Sequence, residues 1–310
     1  TVVLKAAPDT PWSATTLGRI VKEHTDFPPG VFNVITAEDP VTVGNQLVGD
    51  PRVDMVSFTG STAVGKHIMA RAAETVKKVF LELGGKSANI ILDDADLGSS
   101  LLSALSVCFH AGQGCALNTR LLVPRDKQAE VEELLTTYFG FIQYGDPASE
   151  SDIMGPQVNA RQRERVLAYI EKGKAEGARL LLGGGTPAKL EKGFYVEPTV
   201  FMDVSNDMTI AREEIFGPVL CVIAHDGDDD AVRIANDSEF GLSGSVWSGD
   251  EARALAVARR IRTGTINVNG GNFYGADAPF GGYKQSGIGR EMGLEGFEEY
   301  LETKTIAIGL

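Results

Sequence analysis

Short apolar runs alternate with amphipathic stretches along the first 92 residues of the chain. The apolar runs occupy residues 2–4, 31–35, 55–58, 79–81 and 88–92. The stretches between them have helical patterns near 11–26, 40–49 and 62–76. Strands that alternate with helices predict a parallel sheet covered by helices, so we expect an α/β fold. Ligands of such sheets bind at the carboxyl ends of the strands.

The pattern continues beyond Gly84 and Gly85, where we place the main domain boundary. A long apolar helix is predicted over residues 96–110. Further helices are predicted over 126–139, 160–176, 230–237 and 250–262. Polar and apolar residues alternate over 302–308, which predicts a final strand with one exposed side.

Composition and charge narrow the class of protein. The chain has 310 residues, 43% of them hydrophobic, and a formal net charge of −13. A surface with this charge repels nucleic acid phosphates and anionic lipids, so we expect neither as a partner. No apolar run approaches the ~18 residues that a membrane-spanning helix needs, and no signal peptide is visible.

The three cysteines are Cys108, Cys115 and Cys221, an odd and sparse set that does not form a disulfide framework. Free thiols survive in a reducing compartment, so we expect a cytoplasmic protein. No metal is expected, because the chain has no CxxC or HxxxH pair and its four histidines are scattered.

Cys115 is the candidate nucleophile. It lies in the run GQGCALNTR, where glycine precedes it and mostly small or polar residues follow. These neighbours favour a tight turn with a reachable sulfur, whereas Cys108 and Cys221 lie in apolar runs typical of packing. His110 could form a dyad with Cys115, but its place after an apolar helix favours a helix-end residue.

Glu82 is the candidate general base. It ends an apolar strand in FLELGGK, where desolvation raises the pKa of a carboxyl toward the useful range. The two glycines that follow allow the backbone to approach a ligand closely. The alternative is a surface glutamate paired with Lys78 or Lys86.

Three other segments carry chemistry with open alternatives. FTGSTAVGK nearly spells a Walker A loop, but His67 stands where the magnesium-binding hydroxyl is required. The same segment predicts a phosphate seat at a helix N-terminus capped by Ser61, or else a plain strand-to-helix turn. EEIFGPV is either a solvated acidic pair or a carboxylate for sugar hydroxyls, and PFGGYKQSG is either a turn cluster or a substrate mouth.

Together these segments resemble the aldehyde dehydrogenase superfamily. The order FTGSTAVGK, LELGGK, GQGC, EEIFGPV and PFGGYKQSGIGRE extends along nearly the whole chain. The resemblance implies a Rossmann-like parallel sheet in residues 1–84, a second α/β catalytic domain in 85–298 and an oligomerisation arm strand in 299–310. It also implies a homodimer or homotetramer that oxidises a small aldehyde to a carboxylic acid with NAD(P).

The resemblance assigns roles to individual residues. Cys115 is implied to form a thiohemiacetal and then a thioester, which water activated by Glu82 hydrolyses. The presence of Glu82 argues against the CoA-acylating branch of the family. The implied cofactor residues are Lys5, Thr59, Gly60, Ser61, Leu83, Glu214 and Phe216. The implied substrate pocket consists of Phe109, Leu117, Phe273 and Phe280, which suggests an apolar or aromatic-tolerant mouth.

Two departures from the family pattern affect these expectations. Pro8 stands where many NAD-using members have a ribose-binding glutamate, so NAD is expected while NADP stays an alternative. The chain opens at Thr1 inside an apparent strand, and the family's N-terminal part, with its oxyanion-stabilising asparagine, is absent from the sequence. We therefore expect a hydrolytic aldehyde dehydrogenase or, alternatively, a truncated, non-catalytic remnant that binds the cofactor or depends on a partner.

Overall fold

The computed structural model describes residues 1–272 and 274–309 and has an α/β fold. Its strands are β1 (Val2–Lys5), β2 (Phe32–Ile35), β3 (Met55–Thr59), β4 (Lys78–Glu82), β5 (Ala88–Ile91), β6 (Arg120–Pro124), β7 (Arg179–Leu182), β8 (Thr199–Met202), β9 (Val219–His225), β10 (Phe240–Gly241), β11 (Gly244–Trp247), β12 (Asn267–Val268), β13 (Tyr283–Lys284) and β14 (Gly287–Ile288). Its α-helices are α1 (Pro11–His24), α2 (Pro40–Gly49), α3 (Thr62–Ala72), α4 (Leu97–Ser100), α5 (Gln128–Gly140), α6 (Ala160–Ala175), α7 (Thr209–Arg212), α8 (Asp228–Asn236), α9 (Glu251–Ala258) and α10 (Gly293–Glu298).

The chain divides into two units. The first comprises Thr1–Ser57 and Lys66–Val79, and the second comprises Phe58–Gly65 and the chain from Phe80 onward. In the first unit β1 and β2 pair in parallel, with Val2 opposite Phe32. Proline begins both α1 and α2, as its fixed φ and missing N–H favour.

A seven-stranded sheet forms the centre of the second unit. Its strand order is β12-β11-β5-β6-β9-β8-β7. All neighbouring pairs are parallel except β7 with β8. Apolar side chains fill both faces, because alternate residues such as Leu121 and Leu122 belong to different core clusters. Burial on both sides explains the nearly continuous apolar runs of these strands.

A smaller sheet has the order β14-β4-β3. Within it, β14 runs antiparallel to β4, with Gly287 opposite Glu82. The sequence places β14 more than 200 residues after β4. The first four predicted strands therefore lie in two sheets, and the second of these contains a strand from the glycine-rich segment near the end of the chain.

The predicted long helix over 96–110 is wrong in its geometry. The α-helix covers only Leu97–Ser100, and a 3-10 helix continues over Leu101–Gly112 with a kink near its end. Leu101, Ala104 and Val107 are buried at a spacing of three, which suits 3-10 geometry because side chains at i and i+3 eclipse.

The predicted arm strand over 302–308 is also not formed. Residues 301–309 have no assigned secondary structure and are exposed. Alternation of polar and apolar residues predicts a strand, but a strand also needs a hydrogen-bonding neighbour.

Within the described part of the chain, no helix has both the length and the apolar character that crossing a membrane requires.

Candidate functional site

Cys115 lies on a turn between the 3-10 helix and β6. Its side chain is partly buried, whereas Cys108 and Cys221 are fully buried. The chain reaches this turn through left-handed backbone at His110 and Ala111. Gln157 Nε2 donates to the Ala111 carbonyl at 2.8 Å, and Gln113 Oε1 accepts from the Val158 N–H at 2.9 Å. These hydrogen bonds stabilise the uncommon left-handed backbone conformation that directly precedes the Cys115 turn.

Glu82 ends β4 and is buried, with 2% of its surface exposed. Neither carboxylate oxygen has a hydrogen-bond partner among the described residues. Burial, followed by the negative charge of Glu291, raises its pKa to about 8, and Arg290 partly opposes that rise. The carboxyl group is therefore poised to take up or release a proton near neutral pH.

The central segment, residues 82–85, touches the turn that carries Cys115. A Cβ built on Gly85 would clash with the carbonyl oxygen of Cys115. This close approach explains why the chain has glycine after the candidate base. The proximity of Glu82 is also felt electrostatically at Cys115.

Burial is the main cause that raises the pKa of the Cys115 thiol, and the negative charges of Glu214 and Glu82 add to it. The backbone N–H groups of Cys115 and Ala116 oppose the rise. The pKa of the thiol falls, and the nucleophilic thiolate forms more readily, as these two carboxylates lose charge or a cationic group approaches.

Glu214 lies against Gly84 and Gly85 of the central segment. Its Oε1 accepts a hydrogen bond from the Gly85 N–H at 2.9 Å. A Cβ on Gly84 would lie 2.5 Å from its Oε2, so a larger residue at this position would displace the Glu214 carboxylate. Burial raises the pKa of Glu214, whereas the Gly85 N–H, Lys86 and Arg165 lower it.

Helix α6 supports the segment that carries Glu214. The sequence did not lead us to predict this supporting role. Gln162 Nε2 donates to the Phe216 carbonyl at 2.8 Å, and Arg165 Nη2 donates to the Glu214 carbonyl at 2.7 Å. The Tyr169 hydroxyl donates to Glu213 Oε2 at 2.7 Å. The polar residues at positions 162, 165 and 169 lie on one helix face. Their spacing in the sequence is the signal from which a shared supporting role could have been predicted.

The glycine-rich segment near the end of the chain also braces the central segment. Ser286 is fully buried, and its Oγ donates to the Gly84 carbonyl at 2.7 Å and accepts from the Gly241 N–H at 3.0 Å. Its carbonyl accepts from the Leu83 N–H at 2.9 Å. This part of the segment is therefore structural, and sequence reasoning did not identify Ser286.

The predicted phosphate site at Gly60 and Ser61 is hydrogen-bonded to the central segment. The Gly60 N–H donates to the Glu82 carbonyl at 2.9 Å, directly after Thr59 ends β3. Gly60 and Ser61 are exposed, and Ser61 Oγ accepts from the Val64 N–H at 3.4 Å. The first N–H groups of α3 have no carbonyl partner within the helix, as at any helix start.

Three further predicted cofactor residues have less informative surroundings. Lys5 lies in the first unit, where its Nζ donates to the Ala6 carbonyl at 3.0 Å. Phe216 is 36% exposed and has left-handed backbone with φ of 59°. Leu83 is buried and packs on Gly65.

The predicted substrate residues fall in two places. Phe109 is half-exposed and Leu117 partly buried, and both flank Cys115 in sequence. Phe280 is buried, and its ring meets that of Tyr274 edge to face, with 5.7 Å between centroids. Burial is the main cause that raises the pKa of the Tyr274 phenol, and the negative charges of Glu291, Cys115 and Glu82 add to it, which indicates that this ring pair lies near the candidate site. Phe273 lies outside the described residues.

Substituting Gly85 by alanine tests the close approach of the central segment to Cys115. We expect Gly85→Ala to lower the free energy of unfolding by about 1–3 kcal/mol, because a backbone carbonyl must move. Urea denaturation of both proteins measures the change. Gly140→Ala is the matched control, since a Cβ there meets nothing within 4 Å and stability should not fall. Equal stability of wild type and Gly85→Ala would contradict the contact.

The amino-acid sequence matches one known protein family and its members. Residues 1–306 match the aldehyde dehydrogenase family. Over 99% of the chain, 49% of residues are identical to a 3-succinoylsemialdehyde-pyridine dehydrogenase from Pseudomonas sp.. The chain spans 64% of the length of that relative.

Solved structures give the same result for the fold. A Mycobacterium tuberculosis aldehyde dehydrogenase complexed with NAD+ superposes with a TM-score of 0.92 at 46% identity, over 96% of this chain and 61% of that one. A cysteine-to-alanine mutant of aldehyde dehydrogenase C from Pseudomonas syringae, complexed with NAD+ and octanal, superposes with a TM-score of 0.95 at 47% identity. That match covers 98% of this chain and 62% of the other.

Proposed function

The chain belongs to the aldehyde dehydrogenase family, and on that premise we propose that it oxidises an aldehyde to a carboxylic acid with NAD+. The observation that carries the proposal is the arrangement around the central segment. Glu82 begins that segment as a buried carboxyl with a pKa of about 8, and Gly85, at the other end of the segment, packs against the carbonyl of Cys115.

Cys115 supplies the nucleophile in the first step. Its thiolate attacks the aldehyde carbon, and a carbon–sulfur bond forms to give a thiohemiacetal. The backbone N–H of Cys115 donates a hydrogen bond to the oxygen that gains negative charge. Loss of hydride from the same carbon leaves a thioester on Cys115.

Glu82 supplies the base in the second step. Its carboxylate accepts a proton from water as the water oxygen attacks the thioester carbon. The carbon–sulfur bond breaks, the carboxylic acid leaves and the thiol is restored. A carboxyl with a pKa near 8 performs this role well, because it is strong enough as a base and still partly ionised at neutral pH.

The residues present fit a nicotinamide dinucleotide. The exposed Gly60 and Ser61 at the start of α3 would hold its pyrophosphate. The Glu214 carboxylate, anchored through Oε1 by Gly85, would accept hydrogen bonds from a ribose. Thr59, Leu83 and Phe216 complete the proposed set in the second unit, and the role of Lys5, in the first unit, stays a prediction from the sequence. When bound, NAD+ accepts the hydride that leaves the adduct carbon.

Two relatives are described with NAD+, which supports NAD+ over NADP+ for this chain. The octanal in one of them supports an apolar aldehyde as substrate, next to Phe109, Leu117 and Phe280. We further propose a cytoplasmic homodimer or homotetramer, and a division into residues 1–84, 85–298 and 299–310. The free cysteines support the reducing compartment.

The test is NADH formation by the 310-residue protein. We expect aldehyde-dependent NADH from a panel containing octanal, an aromatic aldehyde, betaine aldehyde and a dicarboxylic semialdehyde, with NAD+ used better than NADP+. Absorbance of NADH and chromatography of the acid product measure the reaction. Binding of NAD+ in calorimetry without turnover of any aldehyde would instead favour a non-catalytic, cofactor-binding protein.

A further inference from the structure

Arg120 is a buried cation with an unusual set of partners. Only 2% of its surface is exposed. None of the ion pairs formed by the described residues includes it, and its hydrogen bonds go to three backbone carbonyls and one amide oxygen. Burial lowers its pKa to about 10, so the guanidinium keeps its charge at neutral pH. Burial of an unpaired charge is costly, and such a residue needs an explanation.

The first group of bonds holds the chain that follows the central segment. Arg120 Nε donates to the Lys86 carbonyl at 2.9 Å. The backbone N–H of Arg120 donates to the Ser87 carbonyl at 3.1 Å. Arg120 therefore holds two successive carbonyls directly after Gly85.

The second group of bonds anchors the guanidinium to the body of the domain. Nη1 donates to the Ile234 carbonyl at 3.1 Å and Nη2 to the Ala235 carbonyl at 3.0 Å. These carbonyls belong to the last turn of α8, where the helix dipole attracts a cation. Nη1 also donates to Asn206 Oδ1 at 2.9 Å, and Asn206 in turn donates to Asp237.

Arg120 is also the residue at which the Cys115 turn enters the sheet. It begins β6 five residues after Cys115, and it pairs with Ala88 of β5. The ladder between β5 and β6 fixes the two strands, but residues 85–87 precede β5. In that preceding stretch Gly85 packs on the Cys115 carbonyl, and the Arg120 side chain bonds to the carbonyl of Lys86, the next residue.

We propose that Arg120 is a positioning residue that sets the spacing between Cys115 and the central segment carrying Glu82. This inference rests on the proposed function for its meaning in catalysis. A guanidinium group is required here, because its planar N–H donors point in several directions. Some of them bond to the Lys86 carbonyl while others bond to the carbonyls of α8. Lysine keeps the charge but offers a single nitrogen.

The experiment compares wild type with Arg120→Lys and Arg120→Met. The main measurement is the alkylation rate of Cys115 by iodoacetamide as a function of pH, followed by peptide mass spectrometry. A loosened turn admits water to the thiol, so we expect the midpoint of the profile to fall by about one pH unit. For Arg120→Lys we also expect kcat to fall about 10- to 100-fold, with KM within about twofold.

Arg125→Lys is the matched control. Arg125 lies five residues further along, is exposed and forms a two-pronged bond with Asp226 at 2.8 Å for both contacts. The same substitution there should leave the alkylation profile and kcat unchanged. If folded Arg120→Lys loses stability but keeps the wild-type alkylation profile, Arg120 is merely structural and the inference is wrong.

A gentler variant decides the matter if both Arg120 variants fail to fold. Asn206→Ala removes one acceptor of the guanidinium and should shift the alkylation profile in the same direction by a smaller amount. An unchanged profile would contradict the inference. The alkylation readout needs no turnover, so a failure of the proposed function, seen as normal turnover in Cys115→Ser, is distinguishable from a failure of this inference.

Discussion

Replacing Cys115 by serine is expected to abolish aldehyde oxidation, with a loss of at least about 10³-fold in turnover. A serine hydroxyl ionises far less readily than a thiol, and burial together with the negative charges of Glu214 and Glu82 opposes its ionisation further. The covalent adduct therefore cannot form at a useful rate. NADH formation per folded molecule, with saturating octanal and NAD+, measures the effect.

The control for this variant is Cys108→Ala. Cys108 is fully buried in the core, and burial raises the pKa of its thiol to about 12. Its loss should lower stability by about 1 kcal/mol while turnover per folded molecule is kept. Normal turnover in Cys115→Ser would show that the nucleophile lies elsewhere.

Replacing Glu82 by glutamine should separate the two chemical steps. Acylation of Cys115 is retained, so one equivalent of NADH forms quickly, and steady-state turnover then falls about 10²- to 10⁴-fold. Intact-mass spectrometry should detect the acyl group on the protein. A loss of the initial burst together with the steady state would contradict the assignment of Glu82 to hydrolysis.

The pH dependence follows from the raised pKa of Glu82. Hydrolysis requires the carboxylate, so the steady-state rate of wild type should rise with pH and reach half its maximum near pH 8. Glu82→Gln should lose this rise. Glu295→Gln, at an exposed position on α10, should keep it.

The same pKa has a consequence for stability with a definite sign. Folding raises the pKa of Glu82 from an ordinary value of 4.5, so the folded state favours the protonated form. The stability of wild type should therefore fall as pH rises from about 4.5 to 8, and the loss is on the order of a few kcal/mol. Glu82→Gln should be the more stable protein at pH 8, as measured by urea denaturation.

Local signals in the sequence predicted most of the α-helices well. Proline at the start of α2 favours a helix start at that position, so the helix over 40–49 was predictable. A glycine beside Cys115 favours a turn there, so the turn at the cysteine was predictable as well. The direct roles of Cys115 and Glu82 remain predictions, although the structure brings the two residues into one site.

The residues that support the site could not be predicted in the same way. Gln162, Arg165 and Ser286 act through bonds to backbone atoms about 50 to 200 residues away, and no local pattern specifies such partners. The 3-10 helix over Leu101–Gly112 was missed for a related reason. Its composition suits an α-helix, and the packing of every third residue decides the geometry.

The bond between Ser286 and Gly84 has a consequence for synthesis on the ribosome. Its two partners are separated by 202 residues. At roughly 5–20 residues per second, translation leaves the carbonyl of Gly84 waiting about 10–40 seconds for its partner. During that interval β4 lacks its antiparallel neighbour β14, and its edge is open to other chains. A nascent chain arrested before residue 286 should therefore be a good client for a chaperone that shields strand edges.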